Sequence, residues 1–267
     1  MRHILGILTV LFYILSAYHP AYSGSSQALG DIYFEPERII KFAKGFEKSL
    51  AKNGARVAIV ARVGRSRDKL PEGINFTHTA IAVYSQITTV NGRKIPGYAI
   101  YNLYQRDKQP DISDLIQDYP VDFFSGVQVL EAGVIIPSPE IQASLLNVLI
   151  SDNYKKLHNL KYSVISNPFT LDLQNCTEHT LDLLFSAIYK TNDIKRIKKN
   201  EEAYFEPQSI NINPIKLALG TLFAADVTTS DHPNKPVTAT FTTIGRFLQK
   251  YDKKTKVYII KEEAQNN

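Results

Sequence analysis

The spacing of hydrophobic positions along the chain predicts an alternation of helices and strands. Apolar side chains recur at helical spacing over residues 34–53, with Pro36 and Gly54 at positions typical of a helix start and a helix end. The segment 55–63 is largely apolar and rich in valine and isoleucine, which favours a buried strand. Together the two patterns predict a helix followed by a central strand.

Further along the chain, apolar runs predict strands at 76–86, 96–105 and 127–137. The dipeptide Asn91-Gly92 separates the first two runs and is a strong hairpin signal. The remaining predictions are a short helix within 111–124, helices at 138–150 and 176–189, and a strand, a helix and a strand over 238–263. The expected fold class is α+β, with helices grouped around an antiparallel sheet.

The first residues have the pattern of a secretory signal peptide. A short basic start precedes an apolar run at 4–18, and Ala21 and Ser23 form a small-x-small site. The run is shorter than the roughly 20 residues of a spanning helix, so we expect cleavage and no membrane span afterwards. The expected organisation is a signal peptide at 1–23 and a single domain at 24–267, in a periplasmic or secreted protein without a lipid-attached cysteine.

Composition and charge narrow the classes of function. The chain has 267 residues, of which 44% are hydrophobic and 21% charged, and this is ordinary globular composition. The formal net charge of +5 is a mild basic bias, and export would remove a nucleic acid partner, so we expect none. The charged stretch at 190–202 is interpreted as the solvated surface of a helix.

The one cysteine of the chain lies in the sequence QNCTEHTLDLL, at the predicted start of the helix 176–189. Asn175 is a natural N-cap, and Glu178 follows at the position of a capping-box glutamate. Cys176 therefore lies in a first turn, where N–H groups and the helix dipole stabilise a thiolate or an oxyanion. The competing interpretation is a small buried hydrophobic residue, so the availability of a base decides between them.

His78 is the histidine best placed to be that base, because it begins a strand on which small residues alternate with it. A cysteine–histidine pair needs a third polar group to orient the ring. An unbroken two-residue hairpin would place Gln105 opposite His78, whereas a bulge at Pro96-Gly97 would bring Asn102 to the same face. Asn102 is the predicted orienting residue, and Gln105 is the alternative.

These residues resemble a known superfamily. A strand that begins THTAIAVY, followed much later by NCTE at a helix start, resembles the permuted branch of the NlpC-type papain-like superfamily. The order His78, Asn102, Cys176 is the permuted order. The resemblance implies a papain-like core and the chemistry of a cysteine peptidase, amidase or lipid acyltransferase, without a cofactor. Ala80 departs from the branch, which tends to have glycine at this position.

Segments spread over most of the chain also resemble one uncharacterised family of exported bacterial proteins, domain of unknown function 2145. They are GARVAIVARVGR, THTAIAVYS, GYAIYNLYQ, DYPVDFF, NPFTLDLQNCTEHTLD, and SDH followed by TATFTTIGRF. This second resemblance implies membership of a family but no known activity.

The expected function is hydrolysis or transfer at an amide or ester carbonyl of a peptidoglycan peptide or a lipid. Cys176 is the expected nucleophile, His78 the base and then the acid, and Asn102 the orienting residue. The expected supporting residues are Gln174, which would help the Cys176 N–H bind the oxyanion, together with Asn175 and Glu178.

Two alternatives remain open. One is a binding module that uses the same cleft without catalysis. The other is a zinc site in which Cys176 and His179 would be joined by His78 or His232. Zinc sites usually have two such pairs of ligands, and the sequence shows one, so no metal is expected.

Overall fold

The computed structural model describes residues 32–210 and 228–262, so the signal peptide predicted at 1–23 lies outside the described residues. The helices are α1 Pro36–Lys52, α2 Pro120–Ser125, α3 Pro139–Leu149, α4 Asn153–Lys156, α5 Cys176–Tyr189, α6 Ile194–Tyr204 and α7 Phe241–Tyr251. The strands are β1 Val57–Val63, β2 His78–Thr88, β3 Lys94–Arg106, β4 Gln109–Asp118, β5 Val129–Ile136, β6 Gln208–Ser209, β7 Val237–Thr238 and β8 Lys256–Lys261.

The core of the fold is a six-stranded sheet in the order β4-β3-β2-β1-β5-β8. Every neighbouring pair in this sheet is antiparallel, and β6 pairs with β7 in a separate two-stranded ribbon. The expectation of a mixed α+β fold with helices around an antiparallel sheet is therefore confirmed.

The sheet separates two hydrophobic layers, because successive side chains of a strand point to opposite faces. One layer joins the sheet to α1 and α2 and contains Phe42, Phe46, Ala58, Val60, Ala80, Ala82, Phe123 and Phe124. The other joins it to α3, α5, α6 and α7 and contains Ile59, Ile81, Leu145, Leu184, Ile197 and Ile244. On β2, the face of Ala80 and Ala82 is thus covered by α1 and α2.

The hairpin between β2 and β3 corrects one prediction. Thr89 N donates to the Arg93 carbonyl over 2.8 Å, so the loop contains the three residues 90–92. Its last residue, Gly92, has φ of +78°, a conformation that glycine adopts without a steric penalty. The bulge predicted at Pro96-Gly97 is wrong, because both residues pair with β2 in an unbroken register. The longer loop supplies the one-residue shift that was assigned to the bulge.

Strand β4 was also missed, because the segment 111–124 was predicted to be mixed with a short helix. The helix exists as α2, but the strand Gln109–Asp118 precedes it. β4 lies at the edge of the sheet and leaves most of its side chains partly or fully exposed, so its hydrophobic alternation is weak.

The two strands that carry the predicted base and its orienting residue diverge at one end. The ladder between β2 and β3 ends at the pair Ile81 and Tyr101. Beyond this point, His78 on β2 still pairs with Arg62 of β1, and Asn102 on β3 still pairs with Ile116 of β4. The sheet is therefore open between β2 and β3 at this end, and the candidate site lies there.

Candidate active site

His78 is the first residue of β2 and its side chain is fully buried. Its ring atom Nε2 lies 3.0 Å from Oδ1 of Asn102, which β3 presents across the open end of the ladder. The structure therefore brings together two of the residues that the sequence singled out.

The orientation of the Asn102 amide is fixed by its other hydrogen bonds. Its Nδ2 donates to the carbonyl of Ile100 over 3.1 Å and to Oδ1 of Asp118 over 2.9 Å. Both partners are acceptors, so the amide nitrogen must face them and Oδ1 must face His78. Since Oδ1 can only accept, Nε2 of His78 carries the proton and donates. In the neutral ring, Nδ1 is then the basic nitrogen.

The surroundings of His78 keep the ring neutral. Burial lowers the pKa of His78 well below its usual value, and the nearby charge of Arg62 lowers it further, while the hydrogen bond that Nε2 donates to Asn102 raises it. The ring stacks on Tyr104, with centroids 4.7 Å apart and planes 12° apart. Its buried Nδ1 has no hydrogen-bond partner within residues 32–210 and 228–262. The site thus holds an oriented neutral imidazole with an unused basic nitrogen.

Cys176 is the first residue of α5, as the sequence predicted, and it is 4% exposed. Asn175 caps the helix by accepting hydrogen bonds from the backbone N–H groups of Thr177 and Glu178, which confirms the predicted N-cap. The Cys176 side chain packs with Leu103 of β3 and with Tyr162. The thiol therefore lies at a helix N-terminus beside β3, inside the protein.

A pair of threonines connects this helix start to the residue after His78. The Thr177 hydroxyl lies 3.8 Å from Sγ of Cys176 and donates to the hydroxyl of Thr79 over 3.2 Å. Thr79 and His78 are adjacent on β2 and point to opposite faces, so α5 approaches one face while the imidazole lies on the other. The open end of the β2–β3 ladder is where the two faces meet without paired backbone between them.

Two predicted supporting residues have other roles. Gln174 donates from Nε2 to the Leu157 carbonyl and to Oδ2 of Asp182, so both of its N–H groups are used within the fold. Glu178 does not close a capping box, because its carboxylate accepts hydrogen bonds from Ser166 and Lys198 instead. These contacts fix the first turns of α5, and both N–H groups of the Gln174 side chain are used in them.

Gln105, the alternative orienting residue, lies elsewhere. Its Nε2 donates to the Pro110 carbonyl over 2.8 Å, within the turn that joins β3 to β4. Asn102 occupies the position next to His78 because the three-residue loop of the β2–β3 hairpin sets the register by which the strands pair.

Asp118 and Arg62 belong to the site but were not found from the sequence. Asp118 ends β4 and accepts hydrogen bonds from Asn102 and Tyr104. Arg62 is buried, with its guanidinium carbon 5.3 Å from the ring centroid of Tyr104. The useful signal in the sequence was Arg62 itself, a charged residue in an otherwise apolar central strand; Asp118 left no comparable signal, since aspartate is ordinary at a strand end.

Comparison with known families places the chain. A family model described as "Uncharacterized protein conserved in bacteria (DUF2145)" matches residues 49–248, which is most of the chain. The protein belongs to the DUF2145 family. The matched range includes every element from β1 to α6 and all residues of the candidate site, and the resemblance to this family inferred from the sequence is confirmed. No curated protein and no solved structure matches the chain.

This DUF2145 protein also contains a buried ion cluster, and part of it lies in the stretch that the sequence analysis interpreted as a solvated helix surface. Within the charged stretch 190–202, Lys198 and Glu201 are buried on α6. Lys198 Nζ lies 2.8 Å from Glu178 and 2.7 Å from Asp182, both on α5. The interpretation of this stretch as wholly solvated is wrong, because α6 packs its Lys198 side against α5.

The histidines considered for a zinc site are dispersed in the DUF2145 fold. His179 is buried beside Tyr154 and His158, and burial lowers its pKa to about 3. His232 bonds through Nε2 to the Ile165 carbonyl. Within the described ranges, no group of three or more His, Cys, Asp or Glu side chains is arranged to hold a metal ion. Nor does any helix of those ranges combine the length and the apolar character needed to cross a membrane.

Proposed function

We propose that this protein is a cysteine hydrolase or acyltransferase that acts on an amide or ester bond, built on a permuted papain-like core. Cys176 is the nucleophile, His78 is the general base and then the general acid, and Asn102 orients the ring. The observation that carries the proposal is the fixed tautomer of His78, whose Nδ1 is basic, buried and without a partner among the described residues.

The order of the elements supports the permuted core. The chain presents the histidine at the start of β2, the asparagine on β3 and the cysteine at the start of α5, and α5 packs on the sheet that contains β2 and β3. The thiol at a helix N-terminus gains stabilisation as an anion from the helix dipole and from the N–H groups of the first turn.

The reaction follows from these roles. The proton of the Cys176 thiol passes to Nδ1 of His78 while the sulfur forms a bond to the substrate carbonyl carbon. The carbonyl oxygen becomes an oxyanion, which we assign to the backbone N–H of Cys176 at the helix start. The proton on Nδ1 then passes to the leaving amine or alcohol as its bond to carbon breaks. Water or a second acceptor, deprotonated by His78, cleaves the thioester and restores the thiol.

The substrate class follows from the chemistry and from the expected export of the chain. A thioester intermediate serves both peptide amides and lipid esters, so a peptidoglycan peptide and a lipid acyl group are the two proposed substrates. Because Cys176 is 4% exposed and packs with Leu103 and Tyr162, a substrate reaches the thiol only after side chains around it move.

The pH dependence of Cys176 alkylation by iodoacetamide tests the proposal. In the wild-type protein the thiol should react well below pH 8, in contrast to an ordinary cysteine with a pKa of about 8.5. His78→Ala should lose this reactivity. His158→Ala is the matched control, because His158 bonds to Ser113 and not to the site, and it should keep the wild-type profile. Identical profiles in wild type and His78→Ala, or a thiol that does not react in the folded wild type, would exclude the enzyme.

The second candidate is a binding module without catalysis, and the burial of both His78 and Cys176 is the observation that favours it. Two buried side chains of this kind can belong to the protein core beneath a binding surface. In that case the alkylation rate would follow the unfolding of the protein instead of the protonation of His78, and it would rise with denaturant.

A further inference from the structure

Asp118 holds both of the groups that support His78. Its Oδ1 accepts a hydrogen bond from Nδ2 of Asn102 over 2.9 Å, and its Oδ2 accepts one from the hydroxyl of Tyr104 over 2.8 Å. Asn102 in turn accepts from Nε2 of His78, and the Tyr104 ring stacks on the imidazole. One carboxylate thus connects to the imidazole along two separate routes.

We propose that Asp118 is a positioning residue that sets the tautomer of His78 through Asn102 and the tilt of the ring through Tyr104. This inference rests on the proposed function and adds a fourth member to its site. Asp118 acts through other residues and makes no contact with the reacting atoms, so it is not itself catalytic.

A carboxylate is the chemical group that this position requires. Two donors, an amide N–H and a phenol O–H, converge on Asp118, and an ionised carboxylate offers both of its oxygens as acceptors. An asparagine in its place would offer one oxygen and direct its NH₂ group at the other donor. Where that NH₂ group faces Asn102 instead of the Tyr104 oxygen, only the Ile100 carbonyl keeps the Asn102 amide from turning over and presenting its own NH₂ group to Nε2 of His78. The proton of the ring would move to Nδ1, and the base would be lost.

The charged and titratable groups around Asp118 come from four elements, β1, β3, α2 and α4, the last through Tyr154, whose pKa the charge of Asp118 helps to raise. Burial raises its pKa to about 6; the hydrogen bonds from Tyr104 and Asn102 and the charge of Arg62 on β1 lower the pKa, and Asp122 on α2 raises it. Acidification through this value protonates Asp118, whereas burial and the charge of Arg62 hold the pKa of His78 well below its usual value and favour the neutral ring. The wild-type protein therefore offers a test without any substitution.

The test is long-range ¹H–¹⁵N correlation spectroscopy of the protein labelled with ¹⁵N-histidine. Wild type above pH 7 should show His78 as the neutral Nε2–H tautomer, and Asp118→Asn should shift the ring towards the Nδ1–H form. Asp114→Asn on the same strand is the matched control, because this partly exposed aspartate pairs with Arg106 and should leave the His78 signals unchanged. An Nε2–H ring in both wild type and Asp118→Asn would overturn the inference.

The pH titration keeps the inference testable if Asp118→Asn does not fold. The ring signals of wild-type His78 should change with a midpoint near 6 while the ring remains neutral, since Asp118 takes up the proton. Signals that stay constant over the whole acidic range in which the protein remains folded would overturn the inference.

Alkylation rates of the same samples separate the two proposals. Asp118→Asn should lower the rate at neutral pH about ten- to hundredfold, as expected when a catalytic group is misplaced. If wild-type Cys176 is alkylated like an ordinary thiol while His78 shows the expected Nε2–H tautomer, the result contradicts the proposed function but not the positioning of His78 by Asp118. If the thiol is activated but Asp118→Asn alters neither rate nor spectrum, only the role of Asp118 fails.

Discussion

Lys198 and Glu178, twenty residues apart in the chain, form an ion pair 2.8 Å long inside the protein. The same ammonium group lies 2.7 Å from Asp182, one turn further along α5, and 3.3 Å from Glu201 on its own helix. One cation thus faces three buried carboxyl groups at the contact between α5 and α6. The helix that begins with Cys176 is fixed to α6 through this cluster.

Removal of the cation should be costly. Lys198→Met keeps a similar side-chain volume but leaves the buried carboxyl groups without their partner, so we expect the free energy of unfolding to fall by about 3–5 kcal/mol. The neighbouring Lys199 is exposed on the same helix, and Lys199→Met is the control, expected to change stability by less than about 0.5 kcal/mol. Urea unfolding followed by circular dichroism measures both. Equal stabilities of the two variants would show that the cluster is not a stabilising contact.

The same cluster should make stability depend on pH above neutrality. Burial raises the pKa of Glu178 to about 8 and raises that of Glu201 well above its usual value. Between pH 7 and 8 the folded protein retains protons that the unfolded chain has released, so the free energy of unfolding should decrease as pH rises. The slope approaches about 1.4 kcal/mol per pH unit for each such group.

At lower pH, the buried histidines have the opposite effect on the free energy of unfolding. Burial lowers the pKa of His78, His158 and His179, so below about pH 6.5 the unfolded chain takes up protons that the folded protein excludes. Above about pH 7.5 these histidines are largely neutral in both states. Glu178→Gln should therefore flatten the slope between pH 7 and 8, and an unchanged slope in this variant would contradict the assignment.

The role of Asn102 can be separated from its contribution to folding. Asn102→Ala frees the imidazole to take either tautomer, so we expect Cys176 alkylation at neutral pH to slow at least about tenfold. The control is Asn192→Ala. Asn192 is exposed and its side chain donates a hydrogen bond to Asn153, away from the site, so this variant should keep the wild-type alkylation rate. Thermal unfolding of both variants checks that each one is folded. A rate equal to that of wild type in Asn102→Ala would remove this residue from the site.

Gly133 in β5 is a position where the sheet and α7 approach closely. A Cβ atom at Gly133 would lie 2.6 Å from the ring of Phe241 and 3.0 Å from that of Phe76. Gly133→Ala should therefore lower stability by about 1–3 kcal/mol through overpacking. Gly45 in α1 has open space around it, so Gly45→Ala should raise stability by up to about 1 kcal/mol. Chemical denaturation of the pair measures the two opposite shifts, and a destabilised Gly45→Ala would argue against this account.

The sequence predicted the elements with strong local signals. Helix α5 begins at Cys176 and ends at Tyr189 as expected, because its N-cap and its repeat of leucines are both encoded within one short segment. The continuous apolar character of β1 likewise identified a central strand. Such patterns are formed by residues that are close together in sequence, so they can be recognised without the tertiary structure.

Weak or cooperative features were not predictable in the same way. The edge strand β4 has no clear alternation, and with it Asp118 was missed. The burial of Lys198 depends on Glu178 and Asp182 of α5 and on Glu201 of its own helix. Because two of these three carboxyl groups lie on another helix, the charged stretch by itself gave no sign that Lys198 is buried. Asn102 was placed beside His78 for the wrong reason, since the loop length and not a bulge set the register.

The sequence by itself determined the helix that presents Cys176, the strand that begins at His78 and the family to which the chain belongs, because these are written in contiguous residues. The tertiary structure alone decided the direction of the Asn102 amide, the tautomer of His78 and the link to Asp118. Each of these depends on hydrogen bonds between strands, whose register and divergence arise only when the whole sheet is assembled.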